Sequence, residues 1–300
     1  MLRQAITFAN DKGGVGKTTL AVNVVGMAAA AGWRCLLVDL DPQGDCARDL
    51  GVRKEALEEA GEALATSVFA EKPLSTIPFR SIRPNLDLIS AGAKTREMRE
   101  ILQMRSTKPG ARRFGLADAL SEVTGEYDLI VIDTPPVDLV LQGFGLAGSH
   151  FVVVPVKHDD SSVEGIARLG ENALQFGNPG LQLMGVALFD FEPSAKALRA
   201  SITAEIEEFL KTAGVFPTAI RRAVLASREM RASGLLAVEH EDHVQSIDQP
   251  KWYERKKAAS LGNHVPPTKR VASNATELRE DYRKLSTEIM EEFTRRMADS

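Results

Sequence analysis

Apolar residues along this chain gather in short unbroken runs, separated by stretches whose apolar positions recur every three or four residues. Ala5-Ile6-Thr7-Phe8-Ala9, Leu36-Leu37-Val38-Asp39, Leu86-Asp87-Leu88-Ile89, Leu129-Ile130-Val131-Ile132-Asp133, Phe151-Val152-Val153-Val154-Pro155-Val156 and Leu183-Met184-Gly185-Val186-Ala187-Leu188-Phe189 read as strands. Near-continuous apolar strands with polar ends suit a sheet covered on both faces. The spacing predicts helices from Lys17 to about Ala31, with Gly32 at the C-cap, and over Ser162–Phe176, Ala195–Ala213 and Leu225–Gly234. Strand and helix alternate, which predicts an α/β fold: a doubly wound, mostly parallel sheet with helices on both faces.

The pattern changes near the C-terminus. Residues 238–275 are polar, contain Pro250, Pro266 and Pro267 and show no period, so they read as a long surface loop or insertion. Beyond them Leu278, Tyr282, Leu285, Ile289, Phe293 and Met297 form one apolar stripe on an amphipathic helix over 276–297. The reading is one domain spanning 1–300.

Composition narrows the class. Forty-four per cent hydrophobic residues suffice for a sizeable core, and no apolar run reaches the ~18 residues that a membrane span needs. Cys35 and Cys46 are the only cysteines and form no C-x-x-C pair, so neither a disulfide framework nor an iron–sulfur site is expected, and the protein is expected to be cytoplasmic. The net charge of −4 says nothing of nucleic acid, but its distribution does. Arg221, Arg222, Arg228 and Arg231 stand against Glu229 alone, and a second basic stretch surrounds Arg255-Lys256-Lys257. Either stretch could contact nucleic-acid phosphates, and either could be an ordinary solvated face.

Between the first strand and the first helix lies Lys12-Gly13-Gly14-Val15-Gly16-Lys17-Thr18-Thr19. Strand, glycine-rich turn and helix are the setting of a phosphate-binding loop, in which backbone N–H groups and the helix N-terminus face phosphate oxygens. Lys17 would neutralise the outer phosphates and Thr18 would place its hydroxyl on Mg²⁺. Position 11, glycine in the common G-x-x-x-x-G-K-[ST] pattern, is Asp11, and a second lysine, Lys12, stands just inside the loop. Asp39 and Asp41 in Asp39-Leu40-Asp41-Pro42-Gln43-Gly44, and Asp133 in Asp133-Thr134-Pro135-Pro136, fall at strand C-termini, the edge where such sheets bind ligands. Four apolar residues followed by Asp133 have the form of a metal-supporting carboxylate.

With Asp11, Lys12 and these two acidic segments, the chain resembles the ParA/MinD family of deviant Walker A P-loop ATPases, closest to Soj-like ParA partition ATPases. The resemblance runs from Arg3 to about Glu239. It implies ATP and Mg²⁺ as cofactors, with Asp39–Gly44 as switch I and Asp133–Pro136 as switch II. Asp41 would orient the attacking water, and Asp39 and Asp133 would support the metal shell with Thr18. Lys12 would reach across a homodimer to the partner's nucleotide. Where this sequence has Lys157, Arg221 and Ala223, the family commonly has Gln, Pro and Asn, and the last two help cradle adenine.

The implied activity is slow, partner-stimulated hydrolysis of ATP to ADP and phosphate by an ATP-bound dimer. Such a dimer binds DNA non-specifically, answers to a ParB-like adaptor, and positions or segregates a plasmid, chromosome or other cargo over the nucleoid. The alternative is a MinD-like membrane-associated scaffold. It fits less well because the polar face of the last helix mixes Glu280, Asp281, Glu288, Glu291 and Glu292 with Arg279, Arg283, Lys284, Arg295 and Arg296, which anionic lipid would attract poorly. The first strand begins within a few residues of Met1, so a preceding helix-turn-helix and sequence-specific operator binding are not expected.

Overall fold

The computed structural model describes residues 1–52, 60–106, 114–157, 162–210, 213–246 and 274–299. Its centre is one eight-stranded sheet of order β3-β4-β2-β5-β1-β6-β7-β8. In chain order the elements are β1 (Leu2–Phe8), α1 (Lys17–Ala30), β2 (Cys35–Asp39), α2 (Asp45–Asp49), α3 (Glu62–Ala70), β3 (Phe79–Arg83), β4 (Leu86–Ile89), α4 (Ala93–Ser106), α5 (Leu116–Ala119), β5 (Leu129–Asp133), α6 (Leu139–Gly148), β6 (Ser149–Val156), α7 (Ser162–Gln175), β7 (Gln182–Phe191), α8 (Lys196–Phe209), β8 (Ile220–Arg221), α9 (Val224–Ser233), α10 (Ala237–Ser246) and α11 (Ala275–Ala298). Every named strand pair is parallel except β3–β4, a hairpin closed through Pro84 and Asn85, whose φ is +60°.

Successive strand residues point to opposite faces, and three hydrophobic clusters result, one on one face and two on the other. Ile6, Phe8, Cys35, Leu37, Leu129, Val131, Phe151 and Val153 pack with α1, α9, α10 and α11 on one face. Ala5, Leu36, Val38, Ile130 and Ile132 pack under the helices from α3 to α6 on the other, and Val152, Val154, Val186 and Leu188 continue that alternation beneath α7 and α8. The α11 stripe of Leu278, Tyr282, Leu285, Ile289 and Phe293 is buried in the first of these cores. Among the described residues no helix is long and apolar enough to cross a membrane.

One expectation is corrected. The stretch 238–275 does not begin as a loop: residues up to Ser246 continue α10. Leu236 and Ala237 are buried, the Ala237 N–H donates to Asn23 Oδ1 at 2.9 Å, and the Leu236 N–H donates to Glu239 Oε2 at 2.8 Å. Apolar anchoring and a satisfied first turn hold a helix whose polar composition masked it. The remainder of that stretch up to 273, including the basic group at Arg255, lies outside the described residues.

Candidate nucleotide site

Asp39 and Asp133 end β2 and β5 directly opposite one another in the parallel register, next to β1, whose exit is the glycine-rich loop. The loop is pinned at its start: the Asn10 side chain donates to the Pro155 carbonyl at 2.7 Å, and the Lys12 N–H donates to Asn10 Oδ1 at 3.0 Å. Gly13 and Gly14 are exposed, Val15 is buried beneath them, and Gly16 caps α1 with φ +91°. A Cβ at Gly16 would meet the Phe189 ring at 2.6 Å, so both conformation and space require glycine there. Lys17 is buried and donates through Nζ to the Lys12 carbonyl at 2.8 Å, which curls its ammonium over the loop. The Lys12 side chain is half-buried, and Thr19 lies on the cleft wall with its carbonyl held by Asn23.

Thr18 Oγ1 donates to Asp133 Oδ2 at 2.7 Å. Asp39 accepts from the Asp41 N–H at 2.9 Å and from the Cys46 N–H at 3.2 Å, so the segment after β2 wraps around its carboxylate. The Cys46 thiol adds a weak 3.5 Å bond to Asp133 Oδ2. Burial drives the Asp39 carboxyl well above the usual carboxylate range, with Asp133 beside it, and pushes Asp133 up to about 7. Asp133 Oδ1 is buried without a hydrogen-bond partner among the described residues. Two desolvated carboxylates, an orphaned oxygen and a neighbouring hydroxyl are the donor set of a hard divalent cation, so these residues fit Mg²⁺. Asp41 stands apart, raised by burial, accepting from the Gln43 N–H at 3.0 Å and lining the open cleft.

The cleft has a volume of about 690 Å³ and runs from Gly14, Lys17 and Thr18 to Ile220, Arg221 and Ala223. Of the four candidate DNA-contacting arginines, Arg221, Arg228 and Arg231 line this cleft. Arg221 is bound to Asp281 of α11 through Nε at 2.6 Å and Nη2 at 2.9 Å. Arg231 lies 3.1 Å from Asp49, and Arg222 only 3.8 Å from Glu192 with both side chains about half exposed. Arg228 is exposed and makes no hydrogen bond or ion pair among the described residues.

Sequence reasoning missed Phe189 and Asp190 on the cleft wall, where Asp190 pairs at 3.0 Å with Lys157, noted in the sequence only as a departure from the family's Gln. The signal was available: Asp190 is the penultimate residue of β7, toward the same sheet edge as Asp39 and Asp133. Cys46 beside the carboxylates, by contrast, gave no signal, because it lies inside the polar segment after Gly44.

A family model described as an AAA domain matches residues 3–178. A chromosome partitioning protein ParA from Caulobacter vibrioides is 32% identical over 190 residues, 62% of this chain and 68% of that protein. A chromosome-partitioning ATPase Soj from Treponema pallidum is 30% identical over 230 residues, 75% of this chain and 85% of that one. Among solved structures, a pNOB8 ParA bound to nonspecific DNA superposes with a TM-score of 0.57 at 19% identity, covering 99% of both chains.

Proposed function

We propose, from the premise that this chain belongs to the ParA/MinD family of P-loop ATPases, that it is a partition ATPase whose ATP-bound homodimer binds DNA without sequence preference. In this reading it hydrolyses ATP slowly, is stimulated by a ParB-like adaptor, and positions or segregates a plasmid, chromosome or other cargo over the nucleoid. The observation that carries the reading is the convergence of Lys17, Thr18, Asp41 and Asp133 on one cleft edge around a glycine-capped helix N-terminus.

Lys17 holds the outer phosphates, and the loop N–H groups and the α1 N-terminus neutralise them further. Thr18, Asp39 and Asp133 would hold Mg²⁺, which when bound supplies compensating charge on the phosphate oxygens. Asp41, outside that carboxylate pair and on the cleft wall, orients a water and accepts its proton in this reading. Lys12 acts in the partner's site, so that nucleotide and dimer stabilise one another. Arg222 and Arg228 supply the exposed charge for DNA phosphates, and dimerisation doubles it.

The test combines size-exclusion chromatography, DNA retention and liposome flotation, each with ATP and with ADP. ATP-dependent dimerisation with DNA retention is the expected result. ATP-dependent liposome binding without DNA retention would replace this reading by the membrane scaffold, which the burial of the α11 apolar stripe already disfavours.

A further inference from the structure

A groove of about 550 Å³ runs between the end of α1 and α11, and it shares no lining residue with the nucleotide cleft. Met27, Ala31 and Trp33 form one wall, and Ser286 and Met290, one turn apart on α11, form the other. The Trp33 indole is set edge-on against the buried Phe293, with ring centroids 6.0 Å apart, so the core fixes this aromatic wall. Two hydroxyls of the same helix are satisfied locally: Thr287 donates to the Arg283 carbonyl at 2.9 Å and Thr294 to the Met290 carbonyl at 2.8 Å. Ser286 makes no such bond. It is 2% exposed, and its Oγ is buried with no hydrogen-bond partner among the described residues.

Sites for small organic molecules have volumes of this order and combine apolar walls with a few placed polar groups. Two methionine thioethers and an indole favour a flat aromatic ring, because polarisable sulfur and ring edges both pack well against aromatic systems. A buried hydroxyl left unpaired is costly, and Ser286 can turn toward an acceptor entering the groove without giving up another bond. Charge at the rim disfavours anions. Arg295 is already held by Glu292 at 2.6 Å and by Asp299 at 3.4 Å, whereas Glu291 makes no hydrogen bond or ion pair among the described residues. We propose that this groove is a second ligand site, which takes an uncharged aromatic small molecule carrying a hydroxyl or carbonyl group, and that Ser286 donates to that group. The groove lies at the far end of α1 from Lys17, roughly 15–20 Å away at the usual rise per residue, so the inference stands apart from the nucleotide binding proposed above.

The experiment titrates 2-naphthol, naphthalene and 2-naphthoate into the isotopically labelled full chain and follows its backbone amide shifts by NMR. 2-Naphthol, a phenol and so neutral at pH 7, should shift the amides of Ala31, Trp33, Thr287 and Thr294 and bind about tenfold tighter than naphthalene, the scale of one hydrogen bond. The anionic 2-naphthoate should bind weakest. Ser286→Ala should lower the affinity for 2-naphthol to that for naphthalene, and leave naphthalene binding and the melting temperature unchanged, because the hydroxyl it removes has no protein partner. Ala31→Phe fills the groove from an exposed position and should abolish binding of both. No shifts, shifts confined to other parts of the chain, equal affinity for 2-naphthol and naphthalene, or unchanged 2-naphthol binding in Ser286→Ala would each overturn the proposal. So would phosphatidylglycerol vesicles that bind the wild-type chain and not Ala31→Phe, since they would assign the groove to a lipid chain.

Discussion

The Thr18 hydroxyl donates to Asp133 Oδ2 across 2.7 Å, joining the first turn of α1 to the end of β5, 115 residues later in the chain. The contact exists because β1 and β5 are parallel neighbours and both end at the same sheet edge. Lys17, one residue earlier, is turned to the Lys12 carbonyl, so its ammonium and the Thr18 hydroxyl leave the loop toward different partners. Replacing Lys17 by Ala removes the buried cation but none of the carboxylates. Charge-assisted bonds contribute roughly 1.5–3 kcal/mol each, so ATP affinity should fall about 100-fold in calorimetry while the melting temperature stays within a few degrees. Unchanged affinity in a folded variant would remove the loop from the site.

Asp133 also sets a pH dependence. Its carboxyl is pushed up to about 7 by burial, against an unfolded value near 4. A carboxyl raised by folding stabilises the fold in its protonated form. That contribution is complete below about pH 4 and disappears as pH rises through about 7. Asp133→Asn cannot titrate, so in Mg²⁺-free buffer its melting temperature should exceed that of the wild type by more at pH 8 than at pH 5. Thermal scans at both pH values decide this, and a gap that narrows with rising pH contradicts it. Added Mg²⁺ should close the pH 8 gap by stabilising the wild type.

How much of this was legible depended on whether a residue's role is local. The apolar runs located β1, β2, β4, β5, β6 and β7 to within a few residues, because strands buried on both faces need little else. The polar sequence of β3, Phe79-Arg80-Ser81-Ile82-Arg83, gave no such signal, since an edge strand buries little of itself. The glycine-rich loop and the strand-end carboxylates carried their chemistry in their spacing. The partners of the arginines did not: Asp281 lies 60 residues beyond Arg221, and nothing in the local sequence of either names the other.

Gly16 is a position where a single methyl should cost both fold and function. Its φ is +91°, and the Phe189 ring lies only 2.6 Å from where an alanine Cβ would stand. Gly16→Ala should destabilise the protein by about 1–3 kcal/mol, the scale of a strained backbone, and weaken ATP binding because the helix N-terminus is displaced. Chemical denaturation reports the first effect and calorimetry the second. Wild-type stability would mean that neither the turn nor the Phe189 contact is tight.

Among the described residues the Asp41 side chain accepts a hydrogen bond only from the Gln43 N–H, and it faces the open cleft, unlike Asp39 and Asp133. Asp41→Ala should therefore leave ATP binding near wild type while lowering turnover by roughly 10²-fold or more, the usual contribution of a positioned acid–base group. Bound ATP would then persist. Size-exclusion chromatography with ATP should show a dimer that does not decay over the run, and a monomeric profile would count against a hydrolytic role for Asp41.

The four arginines should separate in DNA binding according to what already holds them. Arg221 is bound to Asp281 and Arg231 lies 3.1 Å from Asp49, a carboxylate that is largely buried. Releasing either cation to a DNA phosphate would leave a desolvated carboxylate behind, which is costly. Arg222 meets only an exposed Glu192 at 3.8 Å, worth little in solvent, and Arg228 has no protein partner among the described residues. Arg222→Ala and Arg228→Ala should each weaken the ATP dimer's affinity for non-specific DNA several-fold at low salt. Removing one phosphate-binding cation per protomer takes two from the dimer and should also reduce the slope of log K against log salt by about 2. Arg221→Ala and Arg231→Ala should leave that slope unchanged, because their charges are already matched within the protein. Retention measured at several salt concentrations distinguishes the two pairs. An equal change of slope for all four would place the whole of α9 and the end of β8 on the DNA.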